Sequence, residues 1–158
     1  MATTSKRALR GRIRRTDPES TIDQFGIEQY QLRDIVRKHL KRGWSVCFDA
    51  SQVPKDRWGQ AHYATRTIYC HPLHNLRSLQ IFLHECAHAW LRHDIRNMPD
   101  HSDEFEAEKY AIHAMMAEGI KVPRGCVTEA KDRIRDHIEA DRAKGVPIMF
   151  KAVEWTKS

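Results

Sequence analysis

Residues 79 to 91 read Leu79-Gln80-Ile81-Phe82-Leu83-His84-Glu85-Cys86-Ala87-His88-Ala89-Trp90-Leu91. The two histidines are four positions apart, so a helix places both imidazoles on one face, one turn from each other. Two imidazoles in this arrangement can bind one metal ion, and zinc accepts histidine nitrogen well. Apolar flanks predict a half-buried position, where polar groups need partners. The segment therefore predicts a zinc-binding helix with His84 and His88 as ligands.

Glu85 directly follows the first histidine, and this position indicates catalysis. A carboxylate there can reach a metal-bound water and act as a general base. A purely structural zinc site needs no base, so the pattern favours hydrolysis. His93 stands five positions after His88 rather than six, which argues against the metzincin spacing.

A second acidic segment lies a short loop further on and supplies candidates for the third ligand. Glu104 and Glu108 share a helical stripe with Ala111 and Met115. Carboxylates aligned with apolar residues point inward, which is unusual without a cation. We therefore predict Glu104 as the third ligand and Glu108 as a hydrogen-bonding partner that orients a ligating histidine. His101 is the alternative third ligand.

Hydrophobic periodicity predicts both helices and strands along the chain. The predicted helices span about 27–41, 76–93, 102–118 and 127–143. The predicted strands span 44–48, 59–63 and 67–70, and the last two are joined by a short turn. Asp103 and Glu106 have the spacing of a capping box. The expected fold class is α+β, with a small antiparallel sheet packed on the zinc-binding helix and additional helices around them.

The chain of 158 residues fits a single domain, predicted at 21–158 with a C-terminal helix, after a flexible basic arm at 1–20. All of the net charge of +6 comes from the segment 6–15, which carries six basic and no acidic residues. This segment is interpreted as a solvated terminus or as an arm attracted to nucleic acid phosphates.

The cysteine pattern and the lack of a predicted membrane-spanning or secretory segment indicate in which cellular compartment the protein is expected. None of the four cysteines belongs to a C-x-x-C pair, and they are interpreted as reduced, mostly packed thiols. No apolar run could span a bilayer, and the first residues do not resemble a secretory signal. The sequence therefore predicts a cytoplasmic protein that makes no membrane contact.

From Trp58 to Val122 the chain resembles the gluzincin metallopeptidases, and most closely the small ImmA/IrrE-type metallo-endopeptidases of phages and bacterial mobile elements. The zinc helix carries part of the likeness. The stretch Glu104-Phe105-Glu106-Ala107-Glu108-Lys109-Tyr110-Ala111 carries the rest, because it resembles the family signature E-x-x-A-[D/N/E]-x-[F/Y]-A. The resemblance implies a minimal zincin domain that cleaves peptide bonds of a protein substrate. It implies His84, His88 and Glu104 as zinc ligands and Glu85 as the general base.

The resemblance also implies how substrate binds, since the edge strand of the family sheet can pair with an extended peptide. The segment 59–63 matches that strand best. Tyr63, His62 and His113 are the candidates to donate a hydrogen bond to the transition state. The segment 100–105 resembles the H-x-x-x-F ligand region of SprT-like proteins, in which His101 would bind the metal. A zinc-stabilised binding or regulatory module without proteolysis, associated with DNA through the basic arm, is the alternative function.

Overall fold

The computed structural model describes residues 29–55 and 57–158. The predicted basic arm at 1–20, its segment 6–15 and the predicted helix start at Ile27 lie outside these residues. Within these two described ranges, five α-helices follow one another in the order α1 (Gln29–His39), α2 (Leu76–Leu91), α3 (Asp100–Ala117), α4 (Arg124–Ala143) and α5 (Phe150–Lys157). The strands are β1 (Ser45–Phe48), β2 (Gly59–His62) and β3 (Thr67–Cys70). The α+β class expected from the sequence is confirmed.

The two ends of α2 are defined by specific backbone contacts. At its start, the Ser78 backbone N–H donates to Asn75 Oδ1 over 2.8 Å, and Ser78 Oγ accepts from the Asn75 backbone N–H over 3.1 Å. This reciprocal capping box satisfies donors that a helix start leaves free. At its end, Arg92 adopts a left-handed conformation with φ of 59°. The chain therefore turns back, and the His93 backbone N–H donates to His88 O over 3.3 Å.

The sheet is mixed, which corrects the expectation of a wholly antiparallel sheet. The strand order is β1-β3-β2, with β2 antiparallel and β1 parallel to β3. The turn from Tyr63 to Arg66 fixes the antiparallel hairpin of β2 and β3. The long connection from β1 to β2 lets β3 lie between them and run in the direction of β1. Alternation of side chains identifies strands, but it does not specify their order or direction.

The helix α2 lies between the sheet and α3, and these elements enclose the main hydrophobic core. Its largest fully buried side chains include Phe82, Leu79 and Leu83 of α2 with Ile68 of β3 and Met115 of α3. Packing on both sides leaves α2 little freedom to rotate, because well-packed interiors resist displacement. The core therefore fixes which face of α2 is left for His84 and His88.

A second hydrophobic cluster holds α3, α4 and α5 together. Its buried members are Phe105, Ile134, Ile138 and Ala152. The sequence did not predict α5, because an eight-residue helix offers only two turns of periodicity. The predicted capping box of Asp103 and Glu106 is wrong, since α3 begins at Asp100 after Pro99 and has no side-chain cap. Within the described residues, no helix is both long and apolar enough to cross a membrane.

The left-handed Arg92 leads to a prediction about stability. A side chain in this conformation costs about 1–2 kcal/mol, which glycine avoids, although glycine gains entropy in the unfolded chain. We expect Arg92→Gly to raise the free energy of unfolding by about 0.5–1 kcal/mol. Arg92→Ala is the matched control, because it removes the same side chain and keeps the strain. Equal stability of both variants in denaturant titrations would contradict this account.

Candidate metal centre

Three side chains from two helices converge at one point. His84 Nε2 and His88 Nε2 of α2 lie 3.0 Å apart. Glu104 of α3 places Oε2 at 3.1 Å from His84 Nε2 and Oε1 at 3.4 Å from His88 Nε2. The helix α2 supplies both imidazoles from successive turns, and the α2–α3 packing brings the carboxylate to them. The three residues that the sequence singled out as ligands are thus brought together.

The separations within this group fit a metal ion. Two donors bound to one zinc ion at about 2.1 Å in a tetrahedron are separated by about 3.4 Å. The three separations of 3.0, 3.1 and 3.4 Å approach that value. Two imidazoles and one carboxylate form a donor set that zinc accepts, with one position left for water or substrate. His84, His88 and Glu104 could therefore hold a metal ion.

The electrostatics of the group also favour a cation. Burial opposes a positive charge on His84, but the charges of Glu108 and Glu104 outweigh it and raise the pKa of His84 well above its usual range. Burial likewise opposes a charge on Glu104, yet the neighbouring His84 keeps the pKa of that carboxyl well below its usual range. The two carboxylates thus favour a positive charge among the largely buried imidazoles, which a protonated His84 or a bound metal ion could supply.

Glu108, the residue expected to orient a ligating histidine, lies behind His84 and is almost completely buried. Its Oε1 lies 3.3 Å from His84 Nδ1, although the angle falls short of a standard hydrogen bond. Gln80 Nε2 donates to Oε2 over 3.0 Å, and Arg133 Nε donates to Oε1 over 2.8 Å. Burial would raise the pKa of Glu108, but His84 and Arg133 lower it to about 2. The carboxylate therefore remains charged and in place to orient His84.

Glu85 lies on the same helix and faces the edge strand β2. Burial raises its pKa, while the charges of His84 and His88 and hydrogen bonding from the Ala61 backbone lower it, and the net shift is upward. A raised carboxyl pKa suits a group that must accept a proton near neutral pH. At Gly59, an added Cβ would lie 2.8 Å from Glu85 Cγ, which is closer than side chains tolerate. Glycine thus allows β2 to approach the carboxylate.

A second group of polar side chains lies behind His88, and the sequence did not predict it. His88 Nδ1 and His93 Nδ1 are 2.7 Å apart. His93 Nε2 lies 3.7 Å from Asp103 Oδ1 and 3.5 Å from Glu106 Oε2, and among the described residues neither His93 Nε2 nor Asp103 Oδ1 makes a hydrogen bond of standard geometry. Burial is the largest cause that lowers the pKa of His93 to about 4. Burial also raises the pKa of Asp103 to about 6.

The alternative ligand His101 points elsewhere, into the contact between α3, α4 and α5. It is fully buried, and its Nδ1 lies 2.8 Å from Asp141 Oδ2. Its Nε2 accepts a hydrogen bond from the Met149 backbone N–H over 2.9 Å. Both ring nitrogens are therefore occupied by structural partners, and the SprT-like alignment does not place His101 at the metal centre.

Of the three candidate hydrogen-bond donors, only Tyr63 lines the pocket at this site. Its hydroxyl is buried and has no hydrogen-bond partner of standard geometry. Burial and the charges of Asp94 and Glu85 raise the pKa of Tyr63, so the hydroxyl keeps its proton. His62 instead contacts Thr65 Oγ1 through Nδ1 at 2.8 Å, and His113 is exposed on α3.

The pocket has a volume of about 720 Å³ and includes side chains that the sequence did not indicate. Arg133 and His137 of α4 form one wall, and Trp58 lies at the start of β2. Arg133 and His137 are spaced i, i+4, so they share one face of α4, next to the apolar stripe. This spacing was the one feature of the sequence that could have indicated the pocket wall, but a basic pair beside an apolar stripe usually belongs to a solvated helix face.

Comparisons with known proteins give no assignment. No family model, no curated protein and no solved structure matches the chain. The likeness to ImmA/IrrE-type peptidases thus rests on the motifs themselves, and function must be argued from the site.

The geometry predicts which carboxylate controls metal affinity. We expect Glu104→Gln to weaken zinc binding by more than the about 10–100-fold that loss of a supporting partner costs, because a charged ligand is removed. Glu139→Gln is the matched control, since Glu139 is exposed on α4 and pairs with nearby Arg142. Competition with a chelator of known affinity measures both variants. Equal zinc affinity would remove Glu104 from the ligand set.

The position of His101 predicts that its removal lowers the stability of the fold and leaves zinc binding unchanged. His101→Ala leaves the buried Asp141 carboxylate without its imidazole partner, which should cost about 1–3 kcal/mol of unfolding free energy. We expect zinc stoichiometry to remain that of the wild type. Denaturant unfolding and elemental analysis of the same preparation test the two halves separately. Loss of zinc from a folded His101→Ala protein would restore the SprT-like ligand set.

Proposed function

We propose that the protein is a zinc-dependent metallo-endopeptidase that hydrolyses peptide bonds of a protein substrate. The observation that carries the proposal is the convergence of His84, His88 and Glu104 at separations that fit one zinc ion, with Glu85 beside them. A site that served only to stabilise the fold would have no need of a buried carboxylate next to its ligands. The pocket leaves room for a substrate segment.

Zinc bound by these three residues would lower the pKa of a water molecule and polarise a peptide carbonyl. Glu85 accepts the proton that the attacking water loses and returns it to the leaving amine. Its raised pKa is suited to both steps, because the proton must be held and then released. The contact with the Ala61 backbone fixes the carboxylate while the charge changes.

The edge of β2 provides a surface for an extended peptide. Within the described residues, β2 pairs only with β3, so its other edge remains available. Gly59, Gln60 and Ala61 line the pocket beside Glu85. An added strand would hydrogen-bond to backbone groups and carry a scissile carbonyl past the site, which makes binding largely independent of sequence.

Tyr63 follows β2 and completes this arrangement. Its hydroxyl is protonated and makes no hydrogen bond of standard geometry with the described residues, so its proton can be donated to the oxygen that becomes negative in the transition state. Such a donor typically contributes a factor of about 10²–10³ in kcat. Tyr63 is therefore the donor that we assign to the reaction.

Glu85→Gln tests the proposal most directly. Glutamine keeps the size and the acceptor oxygen of the side chain, so fold and zinc content should not change. It cannot take up the proton, and we expect turnover to fall by about 10²–10⁴. Mapping of new protein N-termini in cells that express wild type or Glu85→Gln detects cleavage without a prior choice of substrate.

The control is Glu139→Gln, which should cleave like the wild type. An active wild type matched by Glu85→Gln would show that Glu85 is not the base. If the zinc-loaded wild type generates no new N-termini, the non-proteolytic binding or regulatory module becomes the better assignment.

A further inference from the structure

His93 occupies an unusual place, because its ring contacts one of the proposed ligands edge to face. The ring centroids of His88 and His93 are 4.8 Å apart at an interplanar angle of 79°. The side chain of His93 is only 4% exposed. The left-handed turn at Arg92 places it there, since a continued helix would carry position 93 away from position 88. The backbone thus accepts strain at the point where His93 turns toward His88.

The positions of the protons follow from the contact itself. If the Nε2 lone pair of neutral His88 faces a metal, its proton must be on Nδ1. The Nδ1 lone pair of His93, 2.7 Å away, is placed to accept that proton in a hydrogen bond. His93 then carries its own proton on Nε2, which faces the carboxylates of Asp103 and Glu106 at 3.7 and 3.5 Å. In this arrangement both imidazoles are neutral: His88 Nδ1–H points to His93, and His93 Nε2–H points to the two carboxylates.

We propose that His93 is the positioning residue of the metal centre. It is a neutral imidazole that accepts a hydrogen bond from His88 Nδ1, and its own Nε2–H is directed toward Asp103 and Glu106. The inference rests on the proposed zinc site. Ligating histidines usually donate their second nitrogen to a carboxylate, a carbonyl or water. Here an imidazole takes that place for His88, whereas for His84 the Glu108 carboxylate lies 3.3 Å from the second ring nitrogen.

A second metal ion at His93, Asp103 and Glu106 is the competing interpretation, since these three residues also lie close enough together. Two features oppose it. Arg96 already forms a bidentate contact with Glu106, through the same Oε2 that would ligate a metal. If zinc were on His88 Nε2 and a second metal on His93 Nε2, each neutral ring would need its proton on Nδ1. The two Nδ1 atoms are 2.7 Å apart and have room for one proton between them, so one ring would have to become an anion.

The test compares His93→Leu with His93→Asn in the full chain. Asparagine places an acceptor oxygen near the position of Nδ1 and preserves the contact to His88, whereas leucine fills the space and leaves the His88 N–H unpaired. We expect His93→Leu to weaken zinc binding by about 10–100-fold and His93→Asn to recover most of that loss. A role in packing alone predicts the reverse order, because leucine suits a buried site better than asparagine. Zinc titration against a competing chelator gives the affinities, and His113→Leu is the control at an exposed histidine.

The outcomes separate this inference from the function on which it rests. A wild type that binds no zinc overturns the proposed function and the inference with it. A wild type that binds one zinc, with leucine and asparagine variants of equal affinity, overturns the role of His93 alone. A second zinc that is lost in His93→Leu establishes the competing metal site. Unfolding in excess chelator reports the stability of the metal-free variants, and His93→Ala replaces His93→Leu if the latter does not fold.

Discussion

The approach of the Glu104 carboxylate to two imidazoles on α2 is the interaction on which the arrangement of this molecule depends. A carboxylate and two histidines at 3.0–3.4 Å, all largely buried, are expensive to keep together without a cation. The fold holds them because each helix is fixed on its other side, α2 by the sheet and α3 by α4 and α5. The hydrophobic clusters thus supply the rigidity, and the polar residues between the helices form a group that could hold a metal ion.

Sequence reasoning identified the residues of the candidate metal centre because their signal is local. A spacing of four on a helix decides that His84 and His88 share a face, whatever surrounds them. The stripe of Glu104 and Glu108 is a local signal too, since inward-facing carboxylates are unfavourable in an apolar environment unless another group compensates their charge. Element bounds were similarly accessible, and Gly119, with φ of 75°, lies just beyond the end of α3.

What the sequence could not provide depends on tertiary contacts. The parallel pairing of β1 with β3 is a matter of strand order, which leaves no trace in side-chain alternation. Arg133 lies 25 positions from Glu108, and only the packing of α4 on α3 brings its guanidinium to that carboxylate. His93 was considered for its spacing along a helix, but the helix ends before it. Its contact with His88 depends on the left-handed conformation of Arg92, which could not be predicted because arginine rarely adopts that conformation.

A close approach of the backbone also connects the sheet to Glu85. Glycine inside a strand costs about 0.5–1 kcal/mol relative to alanine, so its presence at position 59 calls for a physical reason. The reason is contact, because a Cβ there would meet Glu85 Cγ at 2.8 Å and Ile81 Cγ2 at 3.1 Å. A larger residue would push β2 off α2, and the backbone that hydrogen-bonds Glu85 would move with it. The positions of the edge strand and of the Glu85 carboxylate are therefore coupled by direct contact. A peptide aligned on β2 would consequently be aligned with Glu85 as well.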